Sequence, residues 1–109
     1  MIIKRCAEAE SKTEMAGVIK REVITAVDGA SHFAMRVFEL EPGISTPSHS
    51  HWWEHEVYVL SGSGMVLGDQ GTMPIGKDSV VFISPDEPHC FVNTGSEPLR
   101  FICCIPLQK

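Results

Sequence analysis

Turn-forming residues interrupt this chain so often that no element between them can be long. Asp28-Gly29, Pro42-Gly43, Ser61-Gly62-Ser63-Gly64, Gln70-Gly71, Gly76-Lys77-Asp78, Pro85 with Pro88, and the stretch from Asn93 to Pro98 punctuate it about every eight to twelve residues. The runs between them are rich in β-branched and aromatic residues, and none carries the 3.6-residue stripe of a helix. Such spacing predicts an all-β chain, closed as a barrel or folded as a double-sheet jelly roll.

Taken in order, Met1 to Arg5 reads as a short apolar strand, and Cys6 to Gly17 as loop with at most one helical turn. Val18 to Val27 is a strand candidate ended by Asp28-Gly29. His32 to Glu41 alternates, with Ala34, Arg36, Phe38 and Leu40 on one face and Phe33, Met35, Val37 and Glu39 on the other. Both faces are largely apolar, as in a closed or sandwiched sheet. Val57 to Leu60, Met65 to Asp69, Thr72 to Ile75, Val80 to Ile83, Cys90 to Val92 and Leu99 to Ile105 complete the strands. The whole of 1–109 reads as one domain, with its core in 32–106 and N-terminal strands and loop in 1–27.

Three of the five histidines, His49, His51 and His55, fall within seven residues. On an extended chain His49 and His51 point to one side, and His55, beyond the bend Trp52-Trp53-Glu54, opens a strand that returns to them. A fourth, His89, follows a proline-rich corner at the head of another apolar strand. Near neutral pH imidazole offers a lone pair without first losing a proton at high cost, so this grouping predicts a metal site. His32 has no partner at such spacing and is set aside.

Gly43, five residues, His49-Ser50-His51, three residues, His55, six residues and Gly62 resemble the first sequence motif of the cupin family, with His55 where a glutamate is usual. Gly76, Ser84-Pro85-Asp86, two residues, His89, three residues and Asn93 resemble the second, departing from it at Ser84 and Asp86. The resemblance runs from Gly43 to Ile105, about two thirds of the chain, and is nearest to the small single-domain cupins with four histidines and manganese. It implies a double-stranded β-helix, the cupin jelly-roll barrel. It also implies a metal held by His49, His51, His55 and His89, and a homodimer, for which the Met1 to Arg5 edge would serve.

Four neutral imidazoles leave a divalent ion its full charge and an octahedral ion two open positions, which suits redox or Lewis-acid chemistry better than a closed structural site. Ligand type does not choose among manganese, iron, nickel, copper and zinc; manganese is what the resemblance implies. Phe101, Cys103 and Ile105 share a face of the last strand and, facing inward, would wall a substrate pocket, with Cys103 a soft side chain near the metal. Arg36 on an inward face would anchor an anionic or carbonyl oxygen, and on an outward face would be a solvated charge. Trp53 belongs to the pocket rim, Glu54 and Glu56 either bond ligand ring nitrogens or face water, and Asn93 fixes a turn.

A net charge of −5 with scattered basic residues speaks against nucleic acid as a partner. The apolar runs are strand-sized, too short for a membrane helix, and the N-terminus lacks a signal-peptide pattern, so the expected location is the cytoplasm. The four cysteines form no disulfide framework. Three functions remain open on a small-molecule substrate: a dioxygenase-like metal oxidoreductase, a non-redox isomerase or lyase in which the ion polarises a carbonyl, and a binding module without turnover.

Overall fold

A computed structural model describes residues 1–108. Nine strands form two antiparallel sheets: β1 (Ser11–Met15), β2 (Val18–Ile24), β3 (Phe33–Leu40), β4 (His55–Ser61), β5 (Ser63–Gly68), β6 (Gly71–Gly76), β7 (Val80–Ile83), β8 (His89–Asn93) and β9 (Leu99–Pro106). The larger sheet has the order β1-β2-β3-β9-β4-β7 and the smaller the order β6-β5-β8. This is the all-β jelly roll that the turn spacing predicts.

Strict alternation decides which way each strand faces. Along β9 the residues Leu99, Phe101, Cys103 and Ile105 are buried, and their neighbours are only half so. Register then carries inward orientation to the flanking strands: Arg36 and Phe38 of β3 lie opposite Cys103 and Phe101, while Val57 and Val59 of β4 lie opposite the same two residues from the other side. The core is therefore one layer of Leu40, Leu99, Val57, Val59, Phe101, Cys103 and Ile105, closed by Ile83 and Phe91. The side chain of Arg36 joins this inner face.

Two segments differ from expectation. Met1 to Arg5 forms no strand; Lys4 is tied to Asp28 by a 2.8 Å ion pair, and the segment lines an apolar groove with Met35, Val37 and Ile102 on the outer side of the large sheet. The expected edge for a second copy is thus absent. Within Cys6 to Gly17, only Cys6–Glu8 makes the foreseen helical turn, whereas Ser11–Met15 pairs with β2 as the edge of the large sheet. Every residue of β1 is exposed, so it shows no alternation to find in the sequence. It is held by its hairpin: Gly17 takes φ +84° at the turn, Lys12 pairs with Glu22 at 3.6 Å, and Lys20 reaches both Glu14 and Glu22. β2 also stops at Ile24, where Thr25 caps a short turn over Ala26–Asp28.

Candidate metal centre

Pro42-Gly43 and Pro47 prevent the stretch after β3 from forming a regular strand, yet it runs antiparallel beside β8 as an irregular edge. Gly43 N–H donates to the Asn93 carbonyl at 3.0 Å, Thr46 N–H to Phe91 at 2.9 Å, and His49 and His89 exchange both backbone hydrogen bonds, at 3.2 and 3.0 Å. That reciprocal pair sends both side chains to the same face and joins the two histidine segments. His55 begins β4 on its inward phase, level with Ile83 of β7. His51 lies in the intervening bend, where its carbonyl accepts from Asp86 N–H at 2.5 Å.

The four rings cluster as a result. Centroids lie 4.5 Å apart for His49 and His51, 5.0 Å for His49 and His89, 5.3 Å for His51 and His55, and 4.9 Å for His55 and His89, with 6.2 Å between His51 and His89. His55 and His89 are buried, His51 is half-buried, and His49 stands at the open rim. Among the described residues, no group of three or more His, Cys, Asp or Glu side chains already stands at ion-holding spacing. The rings are assembled as a cluster, with the nitrogens not drawn to a single point.

The family model described as Cupin domain matches residues 36–105, and so includes all four histidines. The chain belongs to the cupin family. It is similar to the polyketide cyclase RemF of Streptomyces resistomycificus, with 34% identity and a TM-score of 0.92 over 99% of this chain and 80% of that one. It is 32% identical to the oxalate-binding protein of Thermotoga maritima over 90% of this chain and 78% of that protein. An uncharacterized protein of Methanocaldococcus jannaschii is 33% identical over 57% of this chain, and the match spans only half of that longer protein.

In this cupin, of the two roles open to Glu54 and Glu56, bonding of the ring nitrogens is not the one observed. Neither Glu54 nor Glu56 bonds a histidine among the described residues; Glu56 points outward from β4 opposite Phe82 and Cys104. Their part is taken by the Glu87 carbonyl, which accepts from His89 Nδ1 at 2.9 Å, and by Cys103 Sγ, 3.2 Å from His55 Nδ1. A backbone carbonyl cannot be picked out by side-chain type, which is why the sequence hides it. Trp53 stacks on His51, with centroids 4.3 Å apart and planes within 9°, and so supports that ring instead of lining the cavity. Ile105 is likewise in the packed core beyond the cavity wall, whereas Phe101 and Cys103 do line it. Asn93 is buried and closes the β8–β9 turn, donating to the Leu40 and Glu97 carbonyls and accepting from Gly95 N–H.

Burial sets the electrostatics. Loss of water, then the charges of His89 and Arg36, push the His55 pKa down to about 4; loss of water leads the same downward shift at His49 and His51. These imidazoles are neutral at pH 7 and hold free lone pairs. Burial pushes the Cys103 thiol up, so it stays protonated against the downward pull of Arg36. Arg36 itself donates from Nη2 to Cys103 Sγ at 3.1 Å, and its guanidinium lies 5.1 Å from the Phe38 ring centroid. His55 Nε2 is buried without any hydrogen-bond partner. An orphaned buried nitrogen beside three other imidazoles fits a divalent transition-metal ion, which takes such lone pairs in the place of protons.

Proposed function

We propose that His49, His51, His55 and His89 hold one divalent transition-metal ion, with manganese first among the candidates and iron, nickel, copper and zinc as alternatives, and that the site acts on a small oxygen-rich organic molecule. The buried, partnerless Nε2 of His55 carries this reading. It is supported by the Glu87 carbonyl, which fixes His89 with its proton on Nδ1 and leaves Nε2 free. When bound, the ion supplies Lewis-acid polarisation of a carbonyl or enol oxygen.

The chain's own residues then orient and shield. Phe38, Phe91, Phe101 and Val18 exclude water from a cavity of about 330 Å³. Arg36 projects into the same cavity from β3 and offers a fork of donors to an oxygen beside the histidines. Glu14 of β1 lines that cavity too, ion-paired through Oε1 with Lys20; its carboxylate would serve as base to a carbon acid through the oxygen outside that pair, and it had no recognisable motif around it. This combination favours a non-redox lyase or cyclase reaction, and the similarity to a polyketide cyclase supports it. The dioxygenase-like oxidoreductase is the second reading, favoured by the carboxylate-free ligand set.

Metal analysis of protein purified without chelating tags, followed by α-proton exchange of an aryl β-diketone in heavy water, tests the proposal. Exchange should require the ion, persist with redox-inert zinc, and vanish with loss of metal in His55→Ala or His89→Ala. A protein that takes up no divalent ion refutes the reading. Dioxygen uptake with manganese or iron and no turnover with zinc selects the oxidoreductase.

The same reading includes a homodimer, formed through the outer face of β7, β4 and β9 and not through the N-terminal segment. Val80 is 73%, Phe82 59% and Tyr58 43% exposed there, a patch of the kind that marks an interface.

A further inference from the structure

We infer that this cavity receives an organic anion with an aromatic body, its carboxylate or phenolate oxygen held by Arg36 and its ring laid along Phe38, Phe101 and Phe91. The inference rests on the metal-site reading and names the class of molecule that site receives.

The first observation is a cation without a counter-charge. The ion pairs among the described residues join Lys4 to Asp28, Lys12 to Glu22, Lys20 to Glu14 and Glu22, and Arg100 to Glu39; none includes Arg36. Its Nε is buried and has no hydrogen-bond partner, and a cysteine sulfur, not a carboxylate, is what its Nη2 meets. Arg36 is half-buried, and a guanidinium withdrawn even partly from water is normally paired, because desolvating a charge without compensation is costly. The one carboxylate on the cavity wall, Glu14, is already engaged by Lys20 of the adjacent strand. An ion on four neutral imidazoles would add two more positive charges beside Arg36. Negative charge must come with the occupant.

The second observation is the wall. Phe38 stacks on Phe101 at 5.4 Å and 20°, and Phe101 on Phe91 at 4.5 Å and 24°, so three rings form a continuous aromatic row leading from the guanidinium. Stacked on one another, the rings turn their edges to the cavity, and edge-to-face contact with such a row favours a flat aromatic body. The volume of about 330 Å³ is that of a site for a drug-sized molecule, and a two-carbon dianion would leave the row bare. Arg36 and the phenylalanines therefore select the two ends of one ligand.

Calorimetric titration of naphthoate, its neutral counterpart naphthamide, and oxalate into metal-free and zinc-loaded protein tests this. Wild-type protein should bind naphthoate about 10- to 100-fold more tightly than naphthamide, the effect of a charge-assisted hydrogen-bonded pair. Arg36→Met should abolish that preference while metal uptake is unchanged, and Arg36→Lys, which keeps the charge and loses the fork, should retain part of it. Equal binding of acid and amide by the wild type, a preference that survives Arg36→Met, or oxalate binding more tightly than naphthoate would each overturn the inference. The acid-to-amide comparison in metal-free wild type needs neither a variant nor an ion, so a failure of metal uptake refutes the proposed function separately.

Discussion

The contact between His55 Nδ1 and Cys103 Sγ decides which nitrogen of a central imidazole is free. A ligand on Nε2 requires the tautomer in which Nδ1–H donates to sulfur, and the 3.2 Å separation allows it. Replacing the sulfur removes that acceptor and lets the ring turn. Cys103→Ala should weaken zinc binding about 10-fold, as loss of an outer hydrogen bond to a ligating histidine does, and chelator competition would measure it. Unchanged affinity would reduce Cys103 to core packing. At this scale the sequence identifies the four histidines, because imidazole chemistry and spacing are local properties. It leaves the direction of Arg36 open, since a charged residue within an apolar alternation is compatible with either face until the opposing strand is known.

At the scale of elements, the turn from β4 into β5 is the most demanding. Gly62 sits at φ +87°, and a Cβ there would run into the Pro98 carbonyl and the Leu99 Cα, at 2.8 Å from the latter. Gly71, in the β5–β6 hairpin, has φ +111° but open space around it. Gly62→Ala should therefore destabilise the protein by about 2–3 kcal/mol and Gly71→Ala by about 1 kcal/mol, read from urea unfolding. Equal effects would mean that backbone strain alone operates at both turns. The capped turn after β2 offers a pH test. Lys4 and the Thr25 N–H, which both bond the Asp28 carboxylate, lower its pKa below the ordinary 3.8. Protonation is then harder in the folded chain than in the unfolded one, so the contribution to stability is full above pH 4 and is lost as pH falls below it. The difference in urea midpoint between wild type and Asp28→Asn should be visible at pH 7 and shrink toward pH 3; a constant difference would show that the carboxylate charge plays no part.

For the whole molecule, the outer face of the large sheet is the surface through which the proposed dimer would form. Val80, Phe82 and Tyr58 stand exposed around a shallow groove shared with Met35, Ile102 and Cys104. Phe82→Asp places a charge at its centre and should convert a dimer to monomer in analytical ultracentrifugation, with metal uptake intact because the histidines lie on the opposite face of β4. A monomeric wild type would leave that face without a second copy. Among the described residues no helix is long and apolar enough to cross a membrane.

Local chemistry and period suffice for the jelly-roll class, most strand positions and the grouping of the His49, His51, His55 and His89 rings, because turn residues, two-residue alternation and side-chain type are all properties of short stretches. The edge strand β1 escaped, being wholly exposed and patterned by cross-strand ion pairs with β2 and not by hydrophobicity. Tertiary structure alone decided that Arg36 faces inward against Cys103, that the Glu87 carbonyl and a thiol replace Glu54 and Glu56 beside the rings, and that Trp53 braces His51. The contacts of Cys103 with Arg36 and His55 depend on register between strands distant in the chain, which the packing of the assembled core sets, whereas those of Glu87 with His89 and of Trp53 with His51 depend on how the corner before β8 and the bend before β4 fold.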